Sequence, residues 1–567
     1  MVLVLNVPNF IPWERNIYPA TYLIDFQERL AKCVLLAALF FSLFARPWLA
    51  WLVAWCFFLW WLPVSIAVRS LVEAPITSNL VGTAMASSPS ELANLAFSIP
   101  KAWFVVFVVW NIFCAATFLW LKKRSAWHWS FASRAKIFLF CTLLLLIPFL
   151  HKENLWSNTS LAVKTAVSVD AFEEADQPLG SDADLPLAFP YELPWALAQY
   201  SQARQVVNAA RASLRPLGAG SALAVGAGSP DVVVLVIGES SSRKFWHLFN
   251  PAALATTPLM DARFALGRNL YPLSNVVAQS TSTRQAVPSL LTSQPLLWPD
   301  GSPNPQATHS IVSLASSAGY ATAWFSNQAA VGRFDGVIAA YADEAATKAF
   351  LNPSTFLQQG SYDEVLIPAL RRHVADQAKS FIVLHTLGSH FNFVHRYPPA
   401  FEVFPSSEGV DNAYRNSIVY TDFFLDKVIA TLERDGRSAA MVYVSDHGQG
   451  LPNEQCGKTE ITRTTVDSYE VPALVWLSSA YEAANPAVPD ILRKNAQSPY
   501  TNAAVYQTLR DLIAVGSFTA NDSALASAPS FLRLSQPGGA QMVVSPAQRW
   551  VNFQDAVHKN PCFIGAN

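Results

Sequence analysis

Asp231-Val-Val-Val-Leu-Val-Ile-Gly-Glu239 is the stretch of sequence on which the interpretation of the whole chain depends. Its six consecutive apolar residues, most of them β-branched, predict a strand that is buried on both faces of a sheet. Gly238 ends this run and lets the backbone turn where a side chain would interfere. Glu239 then places a carboxylate at the carboxyl end of a central strand, the edge at which open α/β sheets bind ligands. Taken alone, the stretch fits equally well a strand that ends in a solvated glutamate.

Strands and helices alternate along the rest of the chain from residue 231 onward. We predict strands at 321–326, 381–385 and 441–445, and helices at 310–319, 362–379 and 413–433. This alternation predicts an α/β domain with a mainly parallel central sheet. The segment 231–567 is long enough to form one large core.

The first 150 residues have the composition of a membrane domain. The 567-residue chain is 52% hydrophobic, which is too apolar for an ordinary soluble protein. Apolar runs at 30–45, 48–68, 102–121 and 137–150 predict about four transmembrane helices within 1–150. The overall charge, 39 basic against 40 acidic residues, gives no indication of nucleic-acid binding.

Basic residues predict the orientation of this membrane domain. Lys and Arg are concentrated in the link between the third and fourth apolar runs, at Lys122, Lys123, Arg124, Arg134 and Lys136. Such links face the cytoplasm, so the chain after residue 150 is expected outside. Residues 151–230, rich in Pro, Ala, Gly and Asp, are expected to form a linker with one helix at 195–214. Cys456 and Cys562 lie in the polar part of the chain, and the sequence leaves open whether they pair.

A second predicted strand ends in residues of the same chemical kind as Glu239. Residues 441–445 are followed by Asp446-His447-Gly448. Two carboxylates and an imidazole at one sheet edge form a donor set that suits Zn²⁺ or Mn²⁺. The alternative for His447 is a buried, hydrogen-bonded histidine that binds no metal.

A run of hydroxyl residues, Ser280-Thr-Ser-Thr283, lies between the two acidic strand ends and precedes a periodic apolar segment. One interpretation is a cluster that caps a helix, because Ser and Thr are preferred at that position. The other is a hydroxyl nucleophile at a helix N-terminus, where backbone N–H groups also hold phosphate. The spacing alone favours the cap.

Several further motifs occur together in an order that resembles one enzyme family. They are Gly238-Glu-Ser-Ser-Ser-Arg243, Thr257-Pro258, Ser282-Thr283 before Val287-Pro288, Ser326-Asn-Gln328, Leu387-Gly-Ser-His390, Arg396-Tyr-Pro398, Tyr414-Arg-Asn-Ser417 with Tyr420-Thr-Asp422, and Ser445-Asp-His-Gly448. This series resembles bacterial phosphoethanolamine transferases, which belong to the alkaline phosphatase/sulfatase-like superfamily. The resemblance is close over about 230–480 and loose over the membrane part.

The resemblance implies a ping-pong transfer by a multi-pass protein of the bacterial inner membrane, with its catalytic domain in the periplasm. Zn²⁺, or alternatively Mn²⁺, is expected to be bound by Glu239, Thr283, Asp446 and His447. Thr283 is the expected nucleophile, which takes phosphoethanolamine from phosphatidylethanolamine and passes it to an envelope lipid, such as lipopolysaccharide, or to a glycan. His390 is expected to contact the phosphate or a second metal, and Asn327 the donor headgroup.

Three departures from the family pattern keep other functions open. Gln279 and Ser289 stand where lipid A enzymes have two cysteines around the nucleophile, so packing is expected to hold this loop. Cys456-Gly457 stands about where a second His-Gly motif is expected, and about four membrane helices are predicted where five are common. The alternatives are a phosphoglycerol transferase, a sulfatase-like hydrolase, and a catalytically inactive membrane scaffolding relative.

His385, His395 and Arg396 are expected to have no role in the reaction. His385 lies inside a predicted strand and is expected to be a core residue. His395 and Arg396 are expected to form an exposed basic pair.

Overall fold

The structure, a computed structural model, describes separate parts of the chain. These are residues 35–66 with gaps, 101–150 apart from 125–127, a few positions between 197 and 208, and 225–564 with breaks, the longest of them at 299–303, 329–335, 353–360, 457–462, 515–528 and 535–539. The chain forms two compact units, one within 1–202 and one within 203–567. The predicted linker and most of its helix lie outside the described residues.

The first unit contains three α-helices whose bounds are described, and residues 37–42 are helical as well. The three are α1 (Pro47–Phe57), α2 (Lys101–Lys123) and α3 (Phe131–Leu150). Tryptophan side chains join α1 to α2, because Trp51 Nε1 donates to the Cys114 carbonyl at 3.0 Å and Trp55 Nε1 to Asn111 Oδ1 at 2.9 Å. These bonds satisfy the indole N–H groups inside an otherwise apolar contact.

One helix among the described residues, α2, is long and apolar enough to cross a membrane. It has 23 residues and a mean hydropathy of 2.2, and large apolar side chains such as Phe104 are exposed along it. The third predicted apolar run is therefore confirmed as such a helix. The second is interrupted, since α1 ends at Phe57 and a 3₁₀ turn follows at Leu59–Trp61. The fourth predicted apolar run lies within α3, and the first lies only partly within the described residues. The full set of four transmembrane helices stays a prediction.

The second unit is built on a seven-stranded sheet with β1 (Val232–Gly238) near its centre. The strand order is β2-β8-β7-β1-β6-β4-β5. The other strands of this sheet are β2 (Leu270–Leu273), β4 (Ala321–Ser326), β5 (Thr347–Phe350), β6 (Ser380–His385), β7 (Ala439–Ser445) and β8 (Ala473–Leu477). The four pairs from β7 to β5 are parallel, whereas β8 runs antiparallel to both β7 and β2. The prediction of a mainly parallel sheet is confirmed, with a mixed edge.

Both faces of β1 are covered, as its apolar run predicts. Val233, Leu235 and Ile237 pack in one hydrophobic core and the alternate residues in a second core on the other face, all fully buried. This alternation follows from the two-residue repeat of a strand. At the end of β1, a Cβ on Gly238 would lie 2.7 Å from Tyr443 Oη, so a side chain there would clash.

Helices cover the two faces of the sheet and confirm the predicted helical segments with shifted ends. Residues 310–319 contain α6 (Ile311–Ser317), 362–379 contain a 3₁₀ turn and α8 (Leu366–Asp376), and 413–433 lie within α9 (Val410–Asp435). The remaining α-helices are α4 (Pro258–Ala265), α5 (Thr283–Leu291), α7 (Gly336–Ala342), α10 (Ser479–Ala484), α11 (Val488–Asn495), α12 (Ala504–Ile513) and α13 (Phe553–Lys559). Two small sheets pair β3 (Val276–Val277) with β9 (Tyr500–Thr501), and β10 (Met542–Val544) with β11 (Trp550–Asn552).

Candidate active site

The strand register brings the two acidic strand ends together. β1 and β7 are parallel neighbours in which Gly238 is paired with Ser445, so Glu239 and Asp446 leave the sheet side by side. Glu239, Asp446 and His447 are each no more than 1% exposed. One potential ligand atom from each lies within 4.8 Å of the other two. The sequence therefore predicted correctly that these three side chains meet at one edge.

The hydrogen bonds of His447 fix which ring nitrogen carries the proton. Its Nδ1 lies 2.8 Å from the Gly448 carbonyl, which only accepts, so Nδ1 carries the hydrogen. The lone pair on Nε2 then faces Thr283 Oγ1 at 3.1 Å, with carboxylate oxygens of Glu239 and Asp446 at 3.6 and 3.4 Å. Burial lowers the pKa of His447 well below its usual value, so the ring stays neutral.

The two carboxylates are held by neighbouring donors, and one oxygen remains without a partner. Ser240 Oγ donates to Glu239 Oε1 at 2.6 Å and Gln328 Nε2 to Glu239 Oε2 at 3.2 Å. Asp446 Oδ1 accepts from the backbone N–H groups of Ser240 and His447. Asp446 Oδ2 is buried and has no hydrogen-bond partner among the described residues.

A cation fits this donor set. Burial raises the pKa of Glu239, and burial together with the Glu239 charge raises the pKa of Asp446 well above its ordinary value. Two buried carboxylates repel each other unless a proton or a cation lies between them. The unpartnered Asp446 Oδ2 and the unprotonated Nε2 of His447 are the kinds of atom that a metal such as Zn²⁺ uses.

Thr283 is the first residue of α5, and its hydroxyl group faces this cluster. Thr283 Oγ1 lies 3.4 Å from Glu239 Oε2, toward which it donates, and 3.1 Å from His447 Nε2. The residue before the helix, Ser282, makes no side-chain capping hydrogen bond. The hydroxyl run therefore provides the N-cap residue, as its spacing predicts, but without the capping hydrogen bond, and the Thr283 hydroxyl contacts the sheet edge instead.

A single asparagine, Asn502, holds the segment that carries Thr283. Asn502 Oδ1 accepts from the backbone N–H of Gln279 at 3.0 Å and from Ser289 Oγ at 3.4 Å. Its Nδ2 donates to the Asp446 carbonyl at 3.0 Å, and the residue is fully buried. Hydrogen bonds to Asn502 thus join the two positions at which cysteines were expected from the family pattern.

His390 lies in the turn that follows β6, beside Glu239. In this turn Gly388 has φ +49°, and a Cβ there would lie 2.7 Å from the Glu239 carbonyl oxygen, so the position requires glycine. Asp363 holds the turn by accepting from the backbone N–H groups of Leu387 and Gly388. Burial and the charges of Arg396 and Arg463 lower the pKa of His390 to about 3, so the ring is neutral at pH 7.

Asn327 is fully buried at the end of β4, and its amide group is partly engaged. Asn327 Nδ2 donates to Asp363 Oδ1 at 2.8 Å and to the Ser361 carbonyl at 2.9 Å. Its Oδ1 has no hydrogen-bond partner among the described residues. The expected contacts of His390 with phosphate and of Asn327 with a headgroup stay predictions.

Comparison with known proteins identifies the family. Residues 231–515, half of the chain, match the family model described as sulfatase. The chain belongs to the sulfatase family. Over 377 residues it is 26% identical to the phosphoethanolamine transferase EptC of Escherichia coli K12, with 62% of each chain covered. Over 218 residues it is 33% identical to the phosphoethanolamine transferase OpgE of the same strain, with 38% of this chain and 39% of that protein covered.

These relatives confirm the resemblance to phosphoethanolamine transferases, although this sulfatase-family chain spans less than two thirds of their length. A crystal structure of the C-terminal periplasmic domain of EptC from Escherichia coli, in complex with Zn, aligns with a TM-score of 0.50 and 21% identity. It covers 59% of this chain and 96% of that one. This likeness confirms the predicted α/β fold of the second unit.

Sequence reasoning missed two side chains that contact the cluster in this sulfatase-family site. Gln328 donates both to Glu239 and to the Thr386 carbonyl, at 2.7 Å for the latter, and so orients the carboxylate. Arg463 Nη1 donates to His447 Nε2 at 3.1 Å and to the Thr281 carbonyl at 3.3 Å, which places a positive charge beside Thr283. Gln328 belongs to a quoted motif but was given no role, and no local pattern marks Arg463.

Three remaining expectations have clear outcomes. His385 is 2% exposed and contacts Ser326 Oγ at 3.1 Å, which confirms it as a core residue. Cys456 and Cys562, left open from the sequence, form a disulfide. The exposed basic pair is wrong for Arg396, which is 6% exposed, because the turn that carries it packs against α9 through the Phe393 and Tyr414 rings, 4.9 Å apart.

Proposed function

We propose that this sulfatase-family protein is a metal-dependent phosphoethanolamine transferase. It takes phosphoethanolamine from phosphatidylethanolamine and gives it to an envelope lipid or glycan through a covalent ester on Thr283. The observation that carries the proposal is the Thr283 hydroxyl, held at a helix N-terminus within 3.4 Å of Glu239 and 3.1 Å of His447. The names of the relatives supply the substrate class.

Glu239, Asp446, His447 and Thr283 are the residues that would hold Zn²⁺, or Mn²⁺ as the alternative for the same donors. When bound, the metal supplies positive charge that favours the alkoxide form of the hydroxyl and stabilises phosphoryl oxygens. The Zn complex of the EptC domain supports zinc. The buried oxygen of Asp446 without a partner supports a metal site in this chain.

The transfer takes place in two displacements at phosphorus. Thr283 Oγ1 attacks the phosphorus of the donor, the bond to the diacylglycerol oxygen breaks, and diacylglycerol leaves as an alcohol after it takes up a proton. The Thr283 hydroxyl loses its proton toward Glu239 Oε2, the acceptor that it already faces. An oxygen of an acceptor hydroxyl or phosphate group then attacks the phosphorus of the Thr283 ester, the bond from phosphorus to Thr283 Oγ1 breaks, and Oγ1 takes up the proton that the acceptor or solvent gives.

Charges and dipoles around Thr283 suit the phosphoryl group in both steps. Thr283 is the first residue of α5, and the backbone N–H groups at a helix N-terminus favour anionic oxygens. Arg463 adds a positive charge on the side of His447. His390 contacts the group as a neutral hydrogen-bond partner, because burial and two arginines keep it unprotonated.

The location follows the same proposal. Residues 1–150 anchor the protein in the inner membrane with about four helices, 151–230 link the units, and 231–567 form the catalytic domain in the periplasm. The apolar helix α2 with Lys122 and Lys123 in its last turn supports the membrane orientation. The Cys456–Cys562 disulfide supports an oxidising compartment.

Intact-protein mass spectrometry of the full chain tests this function. After incubation with phosphatidylethanolamine and Zn²⁺ in detergent, the protein should gain one phosphoethanolamine group on Thr283, and diacylglycerol should appear. Thr283→Ala should abolish both. Ser282→Ala is the matched control and should keep both, since its hydroxyl makes no capping bond. Release of diacylglycerol from phosphatidylglycerol alone would support a phosphoglycerol transferase, and an unmodified wild type would exclude the covalent route.

A further inference from the structure

Arg396 carries a buried positive charge that the described residues do not neutralise. Arg396 is 6% exposed, and its Nε and Nη1 atoms have no hydrogen-bond partner among the described residues. No carboxylate among the described residues lies within ion-pair distance of it. Burial lowers the pKa of Arg396 to about 10, which leaves the guanidinium charged at neutral pH.

Arg263 is a second buried arginine, and its charge is neutralised by carboxylates. It is also 6% exposed, but its Nε donates to Asp426 at 2.7 Å and its Nη1 to Glu433 at 2.8 Å. Pairing of this kind compensates for the loss of water around a charge. Arg396 lacks such compensation within the described part of the protein, so an anion from outside the chain would stabilise its charge.

The position of Arg396 places that anion at the candidate active site. The residue follows a 3₁₀ turn after β6, at the same edge of the sheet as Glu239, and its charge acts on His390. The carboxylates whose charges act on it, Asp363 and Glu239, are engaged elsewhere. Asp363 accepts from the backbone of the His390 turn, and Glu239 accepts from Ser240 and Gln328.

We propose that Arg396 is a binding residue for a phosphate-type oxyanion of the substrate. Its Nε and Nη1 N–H groups can each donate a charge-assisted hydrogen bond to an oxyanion oxygen, the kind of bond by which arginine binds phosphate. The anion is the phosphodiester of the phospholipid donor or a phosphate on the acceptor. The inference rests on the proposed function for the identity of the substrate, but anion binding itself can be measured without turnover.

Thermal unfolding of the full chain in detergent, with a chelator present and ionic strength held constant with chloride, tests the binding. Inorganic phosphate is the probe, and it should raise the Tm of the wild type. Arg396→Met, which keeps the length of the side chain without its charge, should weaken phosphate binding about ten- to a hundredfold. The same variant should unfold at a higher temperature than the wild type without phosphate, because the uncompensated charge is removed.

Arg263→Met is the matched control. It should lower the Tm, because it leaves Asp426 and Glu433 without their partner, and it should keep the response to phosphate. Equal responses to phosphate in wild type and Arg396→Met would overturn the proposal. A Tm loss in Arg396→Met as large as that in Arg263→Met would overturn it too, because it would assign a structural role to Arg396.

The source of the phosphate follows from formation of the Thr283 ester. Arg396→Met is compared with the wild type for the phosphatidylethanolamine concentration that gives half-maximal ester formation. If this concentration rises by the same factor by which the variant weakens phosphate binding, the anion is the phosphodiester of the donor. If this concentration is unchanged, the anion is a phosphate on the acceptor. A wild type that binds phosphate through Arg396 but forms no ester would contradict the covalent transfer and leave the anion site standing.

Discussion

Replacing Asn502 by alanine should separate the position of the nucleophile from the stability of the fold. Asn502 is fully buried and makes three side-chain hydrogen bonds, to Gln279, Ser289 and the Asp446 carbonyl. The first two join the ends of the segment that carries Thr283, and the third joins that segment to the strand end that carries the proposed metal ligands. Asn502→Ala removes all three at once.

The expected loss of stability follows from the groups left behind. The Gln279 N–H and the Asp446 carbonyl lose this partner, and each unsatisfied buried group costs about 1–3 kcal/mol, together about 2–6 kcal/mol. A unit of roughly 340 residues unfolds with an entropy of about 0.7 kcal/mol per kelvin, so the Tm should fall by about 3–9 °C. Differential scanning calorimetry of the full chain measures this change.

The larger effect should be on the reaction. Thr283 Oγ1 now lies 3.1 Å from His447 Nε2, and a misplacement of about 1 Å lowers the rate about 10²-fold. The assay is the rate of Thr283 ester formation with phosphatidylethanolamine per folded molecule, at least about 10 °C below the lower Tm. Asn502→Ala should therefore be about a hundredfold slower than the wild type while still folded.

Asn495→Ala provides the control for burial and amide loss. Asn495 is 1% exposed and its Nδ2 donates to the carbonyls of Phe531 and Arg533, at 2.9 and 2.6 Å. This variant should lose a similar amount of stability and keep the wild-type rate. A wild-type rate in Asn502→Ala, or an equal slowing in Asn495→Ala, would refute the positioning role.

Two other predictions concern the metal and the pH dependence of stability. Zn²⁺ added to chelator-treated protein, at a concentration of a hundred times Kd, should raise the free energy of unfolding by about 2.7 kcal/mol. Asp446→Asn should abolish this gain, as measured by thermal unfolding. The control is Asp511→Asn, which alters a carboxylate paired with Arg533 and should keep the gain. A full gain in Asp446→Asn would show that the cluster does not hold the metal. Burial lowers the pKa of His385 to about 3, below the value of about 6.5 in an unfolded chain, so only the unfolded state takes up a proton as the pH falls below about 6.5. This proton uptake should lower the free energy of unfolding by about 2 kcal/mol at pH 5, measured by urea unfolding, and His385→Gln should remove this loss. If the variant loses as much stability as the wild type between pH 7 and pH 5, His385 is not the group responsible.

The predictable part of the site depended on local patterns. The apolar runs of β1 and β7 identify two buried strands, and the register that pairs Gly238 with Ser445 brings the residues after them together. Parallel strands necessarily end at the same edge of a sheet, so Glu239, Asp446 and His447 could be grouped without coordinates. The order of the motifs then added Thr283, which the spacing alone had assigned to a cap.

Residues that support the site could not be predicted because their partners are distant in sequence. Gln328 is 89 residues from Glu239, and Arg463 is 182 residues from Thr281. Neither lies in a pattern that indicates which way its side chain points. The exposed pair expected at His395 and Arg396 was wrong for Arg396 for the same reason, since a basic residue in a loop is buried only if another element covers it.

The sequence by itself determined the class of fold, the family and the acidic strand ends. Short apolar runs indicate buried strands, and their alternation with helices indicates a mainly parallel sheet. The order of the motifs indicates the family. Only the tertiary structure decided how Thr283 is held and which charges surround it. Asn502 joins Gln279 across 223 residues, and the unpaired charge of Arg396 exists only once the chain has packed around it. Hydrogen bonds and desolvation depend on which atoms are neighbours in space, and that information is absent from any local stretch of the chain.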